Sequence, residues 1–217
     1  MLLVRPPGVY RVANDTSLLA DVMRRGRYAQ GRRVLDVGCG TGALALEAAR
    51  AGAASVTAVD LSLRSIAATW LNARAHRISV HVRRGDLFEP VQGKQFDLLL
   101  ANPPYVPAST STLPRHRLAR CWDAGVDGRQ ILDRICAGSA QALTSGGMAL
   151  IVQSEVCNEN ATAARLAEVG LRAQVVARSI VPFGPVMRAR AALLEDRGLL
   201  EPGRREEEIV VVEAYRG

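Results

Sequence analysis

Short apolar runs alternate along this chain with longer segments in which apolar residues recur at helical spacing. Each run is rich in aliphatic residues and is followed by a polar or glycine-containing turn, which is typical of buried strands. Seven runs predict strands at 33–37, 55–59, 79–82, 96–101, 147–152, 175–177 and 209–212. Helices are predicted at 43–51, 63–75, 127–143 and 160–169, with one more ending at 197. This alternation favours an α/β fold with one mostly parallel sheet and helices on both faces.

The 217 residues contain no internal repeat, low-complexity segment or long linker, so we expect a single domain. Hydrophobic residues make up 48% of the chain and charged residues 23%, which is ordinary for a soluble globular protein. No apolar run approaches the roughly 18 residues that a membrane span requires. The first residues are too few and too proline-broken for a signal peptide, so we expect no membrane insertion.

The cysteines and histidines give no sign of a metal site. Four cysteines are widely spaced, at Cys39, Cys121, Cys136 and Cys157, and they form no C-x-x-C pair. The chain has only three histidines. This usage predicts no bound metal and a reducing, cytoplasmic compartment.

The formal net charge of +7 has two interpretations. All but one of the 28 basic residues are arginines, Lys94 being the exception, which indicates a compositional bias of the source genome. The alternative is an anionic partner such as RNA, DNA or a ribosome-associated factor. Small basic clusters occur at 24–27, 83–84 and 115–117, but none is an unbroken basic tail. The acidic run 206–208 is interpreted as a solvated start of the last strand.

A proline-rich tetrapeptide follows the predicted strand 96–101 and consists of Asn102, Pro103, Pro104 and Tyr105. The carboxyl ends of strands are where open α/β sheets bind their ligands. Asn102 and Pro103 each precede a proline, so the backbone of both is held extended. A stiff turn that offers an amide oxygen and a free carbonyl can hold a planar NH2 group. The tetrapeptide therefore predicts chemistry on an amide or exocyclic amino nitrogen.

The turn after the first predicted strand is rich in glycine, with Gly38, Gly40 and Gly42 following Asp36. The spacing also fits a dinucleotide-binding fingerprint, with Asp60 at the distance expected for a ribose contact. However, a carboxylate at Asp36 would repel a pyrophosphate, whereas it suits a cationic ammonium group. The sequence also offers no acid/base pair for nicotinamide chemistry. S-adenosylmethionine, with an ammonium group and a ribose, fits this turn better.

Acidic residues follow the next two predicted strands as well. Asp60, with Leu61 beside it, can accept both ribose hydroxyls of such a ligand. Asp86 can lie near the adenine amino group, and Leu87 can pack on the ring. A single aspartate is often a helix cap or turn residue instead. Three acids at successive strand ends, in register with the glycine turn, favour a cofactor site.

Together these motifs resemble the HemK family of class I S-adenosylmethionine-dependent methyltransferases, the release-factor glutamine methyltransferases. The resemblance covers residues 8–152 and the last strand. It implies a Rossmann-like methyltransferase fold, with a seven-stranded, mostly parallel sheet whose last strand is antiparallel, and S-adenosyl-L-methionine as cofactor. The segment 9–19 is similar to the short, single-domain branch, which has Glu-Asp-Thr where this chain has Asn-Asp-Thr at 14–16.

The resemblance also implies roles for individual residues. Thr16 would contact the methionine end of the cofactor, so that the helical extension at residues 1–30 contributes to the cofactor site; alternatively, Thr16 is a helix N-cap. Asn102, also counted among the cofactor contacts, and the Pro103 carbonyl would hold the acceptor nitrogen beneath the methyl group. Tyr105 would form a wall of the pocket.

Three functions remain open at this stage. The first is methylation of a protein glutamine amide on a release-factor-like target. The second is methylation of an exocyclic amine of adenine or guanine in a nucleic acid, although a content of 4% aromatic residues is poor for a base-flipping enzyme. The third is a non-catalytic, cofactor-binding subunit, against which the intact tetrapeptide and acids argue.

Partners and substrate contacts are less clearly indicated. By the resemblance, the short branch works with a small zinc-binding activator protein, and a similar partner or self-association is expected here. Two segments could recognise the substrate. One is the connection 107–125, which carries Arg115, His116, Arg117, Arg120 and Trp122. The other is 181–197, between the last two predicted strands.

Overall fold

The structure, a computed structural model, describes residues 1–112 and 118–217. Its strands are β1 (Arg33–Val37), β2 (Ser55–Asp60), β3 (His81–Arg84), β4 (Phe96–Ala101), β5 (Leu143–Ser154), β6 (Leu171–Pro182) and β7 (Glu206–Arg216). Its α-helices are α1 (Asn14–Arg25), α2 (Ala43–Arg50), α3 (Leu63–Ala75), α4 (Gln130–Ala142), α5 (Glu159–Glu168) and α6 (Pro185–Asp196). Short 3₁₀ helices lie at Glu89–Val91, Leu118–Cys121 and Glu155–Cys157.

The strands form one seven-stranded sheet in the order β3-β2-β1-β4-β5-β7-β6. Neighbouring strands are parallel from β3 to β5, whereas β7 is antiparallel to both β5 and β6. This confirms the predicted seven-stranded, mostly parallel sheet with an antiparallel last strand. The chain leaves β1 toward one edge of the sheet and β4 toward the other. The crevice between the carboxyl ends of β1 and β4 is therefore the position at which such sheets bind ligands.

The central strands are buried on both faces. In β4, Leu98 and Leu100 pack with α1 and α2, while Leu99 packs on the opposite face with α4, α5 and α6. All three leucines are fully buried. Strands covered on both faces read as continuous apolar runs, which is why the predicted bounds of β1 and β4 agree with the structure.

The edge strands β3 and β6, together with β7 beside β6, differ most from their predicted bounds. β3 lies at His81–Arg84 rather than 79–82, because its register with β2 begins where Thr57 pairs with His81. β6 spans 12 residues and β7 spans 11, against the three and four predicted. Exposed residues, several of them polar, alternate with partly buried ones along β6 and hide the strand from a search for apolar runs.

Two further boundaries are set by turns. Helix α4 begins at Gln130 rather than 127, since Gly128 has a φ of 75° and the Asp127 carboxylate accepts a hydrogen bond from the Arg129 N–H, which forms a turn there. β5 begins at Leu143, four residues before the predicted strand, and its register against β4 shifts between Phe96 and Leu98. Within the described parts of the chain, no helix combines the length and apolarity needed to cross a membrane.

Candidate active site

The glycine turn lies at the carboxyl end of β1. Gly38, Gly40 and Gly42 have φ values of 77°, 56° and 81°, a region in which glycine is strongly favoured. A Cβ at Gly42 would lie 2.7 Å from the Thr69 methyl carbon, so this position packs tightly against α3. A Cβ at Gly38 or Gly40 would meet no atom of the described residues within 4 Å. The turn thus presents backbone to an open space beside β1.

Asp36, the penultimate residue of β1, is 1% exposed. One carboxylate oxygen, Oδ2, accepts a hydrogen bond from the Ala45 N–H at 3.0 Å and so caps the first turn of α2. The other oxygen, Oδ1, is buried without a hydrogen-bond partner among the described residues. Burial raises the pKa of Asp36 to about 7. An unpartnered carboxylate oxygen suits a cationic donor such as the ammonium group of S-adenosylmethionine.

Asp60 ends β2 and connects the two loops that follow β1 and β2. Its Oδ2 accepts from the Gly40 N–H at 2.9 Å, and its Oδ1 accepts from the Ser62 N–H at 2.7 Å. Burial raises the pKa of Asp60, while the Ser62 and Gly40 N–H groups lower it. The Ser65 hydroxyl and the Arg120 charge also lower this pKa, so Ser65 and Arg120 lie near the carboxylate. Because each carboxylate oxygen can accept two hydrogen bonds, Asp60 can still accept from a ribose hydroxyl.

Asp86 and Leu87 lie beyond the end of β3 rather than at it. The Asp86 carboxylate accepts from the Arg134 guanidinium of α4 at 2.7 Å, so it has a structural partner that the sequence did not indicate. Leu87 has a φ of 48° and packs partly buried against the apolar layer under α4. Leu61 is 43% exposed. The expected contacts of these three residues with the cofactor remain predictions.

The tetrapeptide lies at the carboxyl end of β4, across the crevice from the glycine turn. The Asn102 side chain donates from Nδ2 to the Thr16 hydroxyl at 2.9 Å. Among the described residues, none donates to the Asn102 Oδ1 or to the Pro103 carbonyl. These two acceptors have no donor among the described residues, and their predicted contact with an acceptor nitrogen stays a prediction. Thr16 lies in the first turn of α1, whose N-cap residue is Ala13, so the N-cap interpretation of Thr16 is wrong.

A buried carboxylate that sequence reasoning missed stands behind the tetrapeptide. Asp15 is 3% exposed and accepts hydrogen bonds at Oδ2 from the hydroxyls of Tyr10 and Tyr105, each at 2.8 Å. Its Oδ1 accepts from the backbone N–H and the hydroxyl of Thr16. Burial and the Asp15 charge raise the pKa of both tyrosines above their ordinary value. The signal in the sequence was the Asn-Asp-Thr segment itself, in which only Thr16 was singled out.

Glu207 was also missed, because it was taken as part of a solvated acidic run. It is only 6% exposed, whereas its neighbour Glu206 is exposed, since alternate residues of β7 face opposite sides of the sheet. Burial, followed by the charge of Asp15, raises the pKa of Glu207 to about 6. The Ser154 hydroxyl lies near this carboxyl group and lowers its pKa, although neither that hydroxyl nor the Glu207 Oε2 has a hydrogen bond of standard geometry among the described residues. Buried polar groups thus surround the tetrapeptide on the α1 face.

The opposite side of the tetrapeptide is held by α4 and the segment before α5. The Cys157 thiol donates to the Tyr105 carbonyl at 3.1 Å. A Cβ at Gly128 would lie 2.4 Å from the same carbonyl oxygen, so the chains approach closely there. The buried Arg129 guanidinium donates to the carbonyls of Cys157 and Asn158, which fixes the segment that carries the thiol.

Helix α6 supports the connection that follows the tetrapeptide. Arg190 donates to the Pro107 carbonyl at 2.8 Å and pairs with Asp123. Arg197 donates to the carbonyls of Ala108 and Val126, at 2.8 and 3.0 Å. These contacts bring the segment 181–197 to the rim of the site.

The other segment expected to recognise substrate is only partly described. Trp122 is partly buried, and its carbonyl accepts from the Val106 N–H at 2.8 Å. Arg115, His116 and Arg117 lie outside the described residues. In the parts of the chain that the structure covers, no group of three histidine, cysteine or acidic side chains could hold a metal ion.

The fold and the glycine-turn site define a class I S-adenosylmethionine-dependent methyltransferase, and S-adenosylmethionine is its cofactor. The open space beside Gly38 and Gly40 and the unpartnered oxygen of Asp36 fit that cofactor. The family model of the methyltransferase small domain matches residues 2–117, and the chain belongs to that family. The resemblance to glutamine methyltransferases is likewise confirmed by relatives in sequence.

One such relative, from Methanocaldococcus jannaschii, is assigned by inference as a protein N5-glutamine methyltransferase. It is 34% identical over 181 residues, which are 83% of this chain and 90% of that relative. Release factor glutamine methyltransferases of several bacteria also match, but the chain spans only 46% to 55% of their length.

Solved structures share the fold at low identity. The 16S rRNA guanine-N2 methyltransferase RsmC of T. thermophilus, in complex with AdoMet and guanosine, superposes with a TM-score of 0.65 at 22% identity, covering 98% of this chain and 46% of RsmC. The E. cuniculi Mtq2–Trm112 complex, described as methylating the termination factor eRF1, gives a TM-score of 0.65 at 21% identity, covering 97% of this chain and 99% of its counterpart.

Proposed function

We propose that this protein methylates the side-chain amide nitrogen of a glutamine in a protein substrate that resembles a release factor. The observation that carries the proposal is the pair of acceptors at the turn after β4. The Asn102 amide gives its NH2 end to Thr16, and none of the described residues donates to its Oδ1 or to the Pro103 carbonyl. Two acceptors on adjacent residues match a primary amide, whose nitrogen has two N–H donors.

The chain's own residues act by positioning and electrostatics. S-adenosylmethionine, when bound, supplies a methyl group on a sulfonium sulfur, which keeps the bonding electron pair when the methyl leaves. Asn102 and Pro103 hold the amide nitrogen by its two N–H groups and stabilise the positive charge that develops on it. The nitrogen then releases one proton to solvent water, which leaves the methylated amide neutral. Tyr105, with Pro104 before it, forms the wall against which the planar amide packs.

On the cofactor side, the proposal assigns three roles. Asp36 faces the ammonium group, Gly38, Gly40 and Gly42 admit the cofactor close to the backbone, and Asp60 with Leu61 holds the ribose. Asp86 and Leu87 border the adenine, although the ion pair of Asp86 with Arg134 must then be compatible with that contact.

We further propose that residues 1–217 act as one methyltransferase domain in the cytoplasm, and that residues 1–30 belong to its site. The contacts of Asp15 and Thr16 with the tetrapeptide support the second point. A small partner protein, as in the Mtq2–Trm112 complex, or a second copy of the chain is proposed to assist. An active monomer of the purified chain, established by light scattering and assay, would remove that part of the proposal.

The test uses S-adenosylmethionine labelled on the methyl group, the purified protein, cell extract and Asn102→Ala as control. Label that is lost only to protease, at the size of a release factor, supports glutamine methylation. Label that is lost to nuclease moves the assignment to an exocyclic amine of RNA or DNA, an alternative favoured by the net charge of +7. Tight cofactor binding with no label transferred supports a non-catalytic role.

A further inference from the structure

We propose that Asp15 is a positioning residue that acts through Thr16 to fix which end of the Asn102 amide faces the substrate. An asparagine side chain is nearly symmetric in shape, so its two ends are distinguished by the hydrogen bonds they make. A clamp for an NH2 group works only if the oxygen faces the substrate. Something in the protein must therefore hold the nitrogen on the other side.

The Asp15 carboxylate determines which groups donate and which accept in this chain of hydrogen bonds. An ionised carboxyl group accepts hydrogen bonds and donates none. Asp15 is surrounded by four donors: the backbone N–H and hydroxyl of Thr16, and the hydroxyls of Tyr10 and Tyr105. In this arrangement all four groups donate to Asp15, so its carboxyl group serves as an acceptor only.

The Thr16 hydroxyl determines in turn which end of the Asn102 amide can bind to it. It has one proton, which it donates to the Asp15 carboxylate at 3.2 Å. Its lone pairs are then left to face Asn102, whose nearest amide atom lies at 2.9 Å. Only the NH2 end of the amide can bind there, because the oxygen end would place its lone pairs against those of the Thr16 hydroxyl. The Asn102 Oδ1 is consequently directed away from Thr16.

The same carboxylate also holds the other end of the tetrapeptide. Tyr105 donates to Asp15 at 2.8 Å, so one buried group contacts the last residue of the turn directly and the first residue through Thr16. A shift of Asp15 would therefore move both ends of the clamp. This assigns Thr16 a role at the acceptor clamp instead of the expected one at the methionine end of the cofactor.

A pair of variants at Thr16 tests the proposal with little risk of unfolding. Thr16→Val keeps the shape and removes the hydroxyl, whereas Thr16→Ser keeps the hydroxyl. Ser17→Ala is the matched control, since that hydroxyl is exposed and, among the described residues, hydrogen-bonds to the Ala13 carbonyl alone. Asp15→Asn, which can donate to Thr16 and so reverse the direction of the hydrogen bonds, is the second variant of interest.

The first readout needs no substrate. The side-chain NH2 protons of Asn102, assigned by their absence from the Asn102→Ala NMR spectrum, are expected to exchange about tenfold more slowly than those of exposed Asn160. This protection is expected to persist in Thr16→Ser and Ser17→Ala and to disappear in Thr16→Val. Equal protection in Thr16→Val would overturn the proposal, whatever the substrate is.

The second readout rests on the proposed glutamine methylation. With a release-factor peptide, Thr16→Val and Asp15→Asn are expected to lower kcat about 100-fold, as misplaced reacting groups do, while the Kd for S-adenosylmethionine stays within about twofold. Thr16→Ser is expected to restore kcat to within about threefold of the unaltered protein. A raised cofactor Kd with unchanged NH2 protection would show instead that Thr16 serves the cofactor. Failure of the peptide as substrate leaves the exchange result intact, so the two proposals can fail separately.

Discussion

The two halves of the site are built in different ways. On the cofactor side, the hydrogen bonds of Asp36 and Asp60 go to backbone N–H groups 9, 20 and 2 positions away. On the acceptor side, Asn102 and Tyr105 contact side chains of α1 that are 86 and 90 positions away. The cofactor half is thus a local structure at the ends of neighbouring strands, whereas the acceptor half exists only when distant segments pack together.

Because the two halves are built differently, substitutions in them are expected to have different effects. A local turn depends on φ angles and nearby N–H groups, so it forms wherever the βα unit forms. The tetrapeptide is stiff by itself, because prolines restrict it. The side chains of Asn102 and Tyr105 are oriented by α1 on one face, and the Tyr105 carbonyl is held by Cys157 on the other. We infer that substitutions in the cofactor half alter cofactor affinity, and that those in the acceptor half alter the methyl-transfer step.

The largest expected effect is that of Asn102→Ala. Removing the acceptor that holds the amide nitrogen is expected to lower turnover about 1000-fold, because that interaction strengthens as charge develops on the nitrogen. The Kd for S-adenosylmethionine, measured by calorimetry, is expected to change less than about threefold. Asn160→Ala, at an exposed position on α5, is the control and is expected to change neither quantity. Comparable loss of cofactor affinity in Asn102→Ala would contradict a division between the halves.

Asp60→Asn is the converse test in the cofactor half. The amide cannot accept from Gly40, Ser62 and a ribose as the carboxylate can, and hydrogen bonds to charged groups contribute about 1.5–3 kcal/mol. The Kd for S-adenosylmethionine is therefore expected to rise about 10- to 100-fold, while turnover at saturating cofactor stays within about threefold. Asp21→Asn, at an exposed residue paired with Arg24, serves as control. A fall in saturated turnover with unchanged Kd would be the opposite result.

Substitutions at two glycines can distinguish the cost of backbone strain from the cost of a close contact with the tetrapeptide. Gly128 and Gly170 have similar φ values of 75° and 85°, but a Cβ would meet the Tyr105 carbonyl at Gly128 and no atom within 4 Å at Gly170. Gly170→Ala is expected to lose about 1 kcal/mol of unfolding free energy from strain alone. Gly128→Ala is expected to lose about 1–3 kcal/mol more, and turnover with it. Equal unfolding curves in urea would mean that the close approach at Tyr105 carries no energy.

The same contrast explains how much of the molecule could be predicted from the sequence. The glycine turn and the acids at the ends of β1 and β2 could be recognised in the sequence, because their partners are near in sequence and each residue type has a specific backbone role. The prolines of the tetrapeptide also restrict their own backbone, which made its extended conformation predictable. Asp15 was not recognised, since its function depends on Tyr10 and Tyr105 reaching it from two different segments.

The charge pattern along the chain led to a wrong prediction of burial in β7, because the periodicity of a strand decides which of its residues are buried. The run of three glutamates at 206–208 has the composition of a solvated segment, yet the middle residue faces inward with Ile209 and Val211. A period of two places alternate residues on opposite faces, whatever their charge. Likewise, the alternating exposed residues of β6 concealed a strand of 12 residues.

Glu207 gives the smallest expected effect, and its pH dependence probes the buried polar groups of the acceptor half. Burial and the Asp15 charge raise its pKa from an ordinary 4.5 to about 6. Between these two values, the folded protein keeps a proton that the unfolded chain has released. The free energy of unfolding therefore falls as the pH rises through this window, by at most about 2 kcal/mol, and the contribution is constant above it.

Glu207→Gln removes this titration while keeping the size of the side chain. The difference in unfolding free energy between Glu207→Gln and the unaltered protein, measured in urea at several pH values, is expected to move in favour of the variant as the pH rises from 4.5 to 6 and then to level off. Glu206→Gln, at the exposed neighbouring position, is expected to give a flat difference. A flat difference for Glu207→Gln as well would mean that this carboxyl group ionises as it would in water. The buried groups behind Tyr105 would then be hydrated in solution, and the acceptor half would be less tightly packed than the contacts of Asp15 indicate.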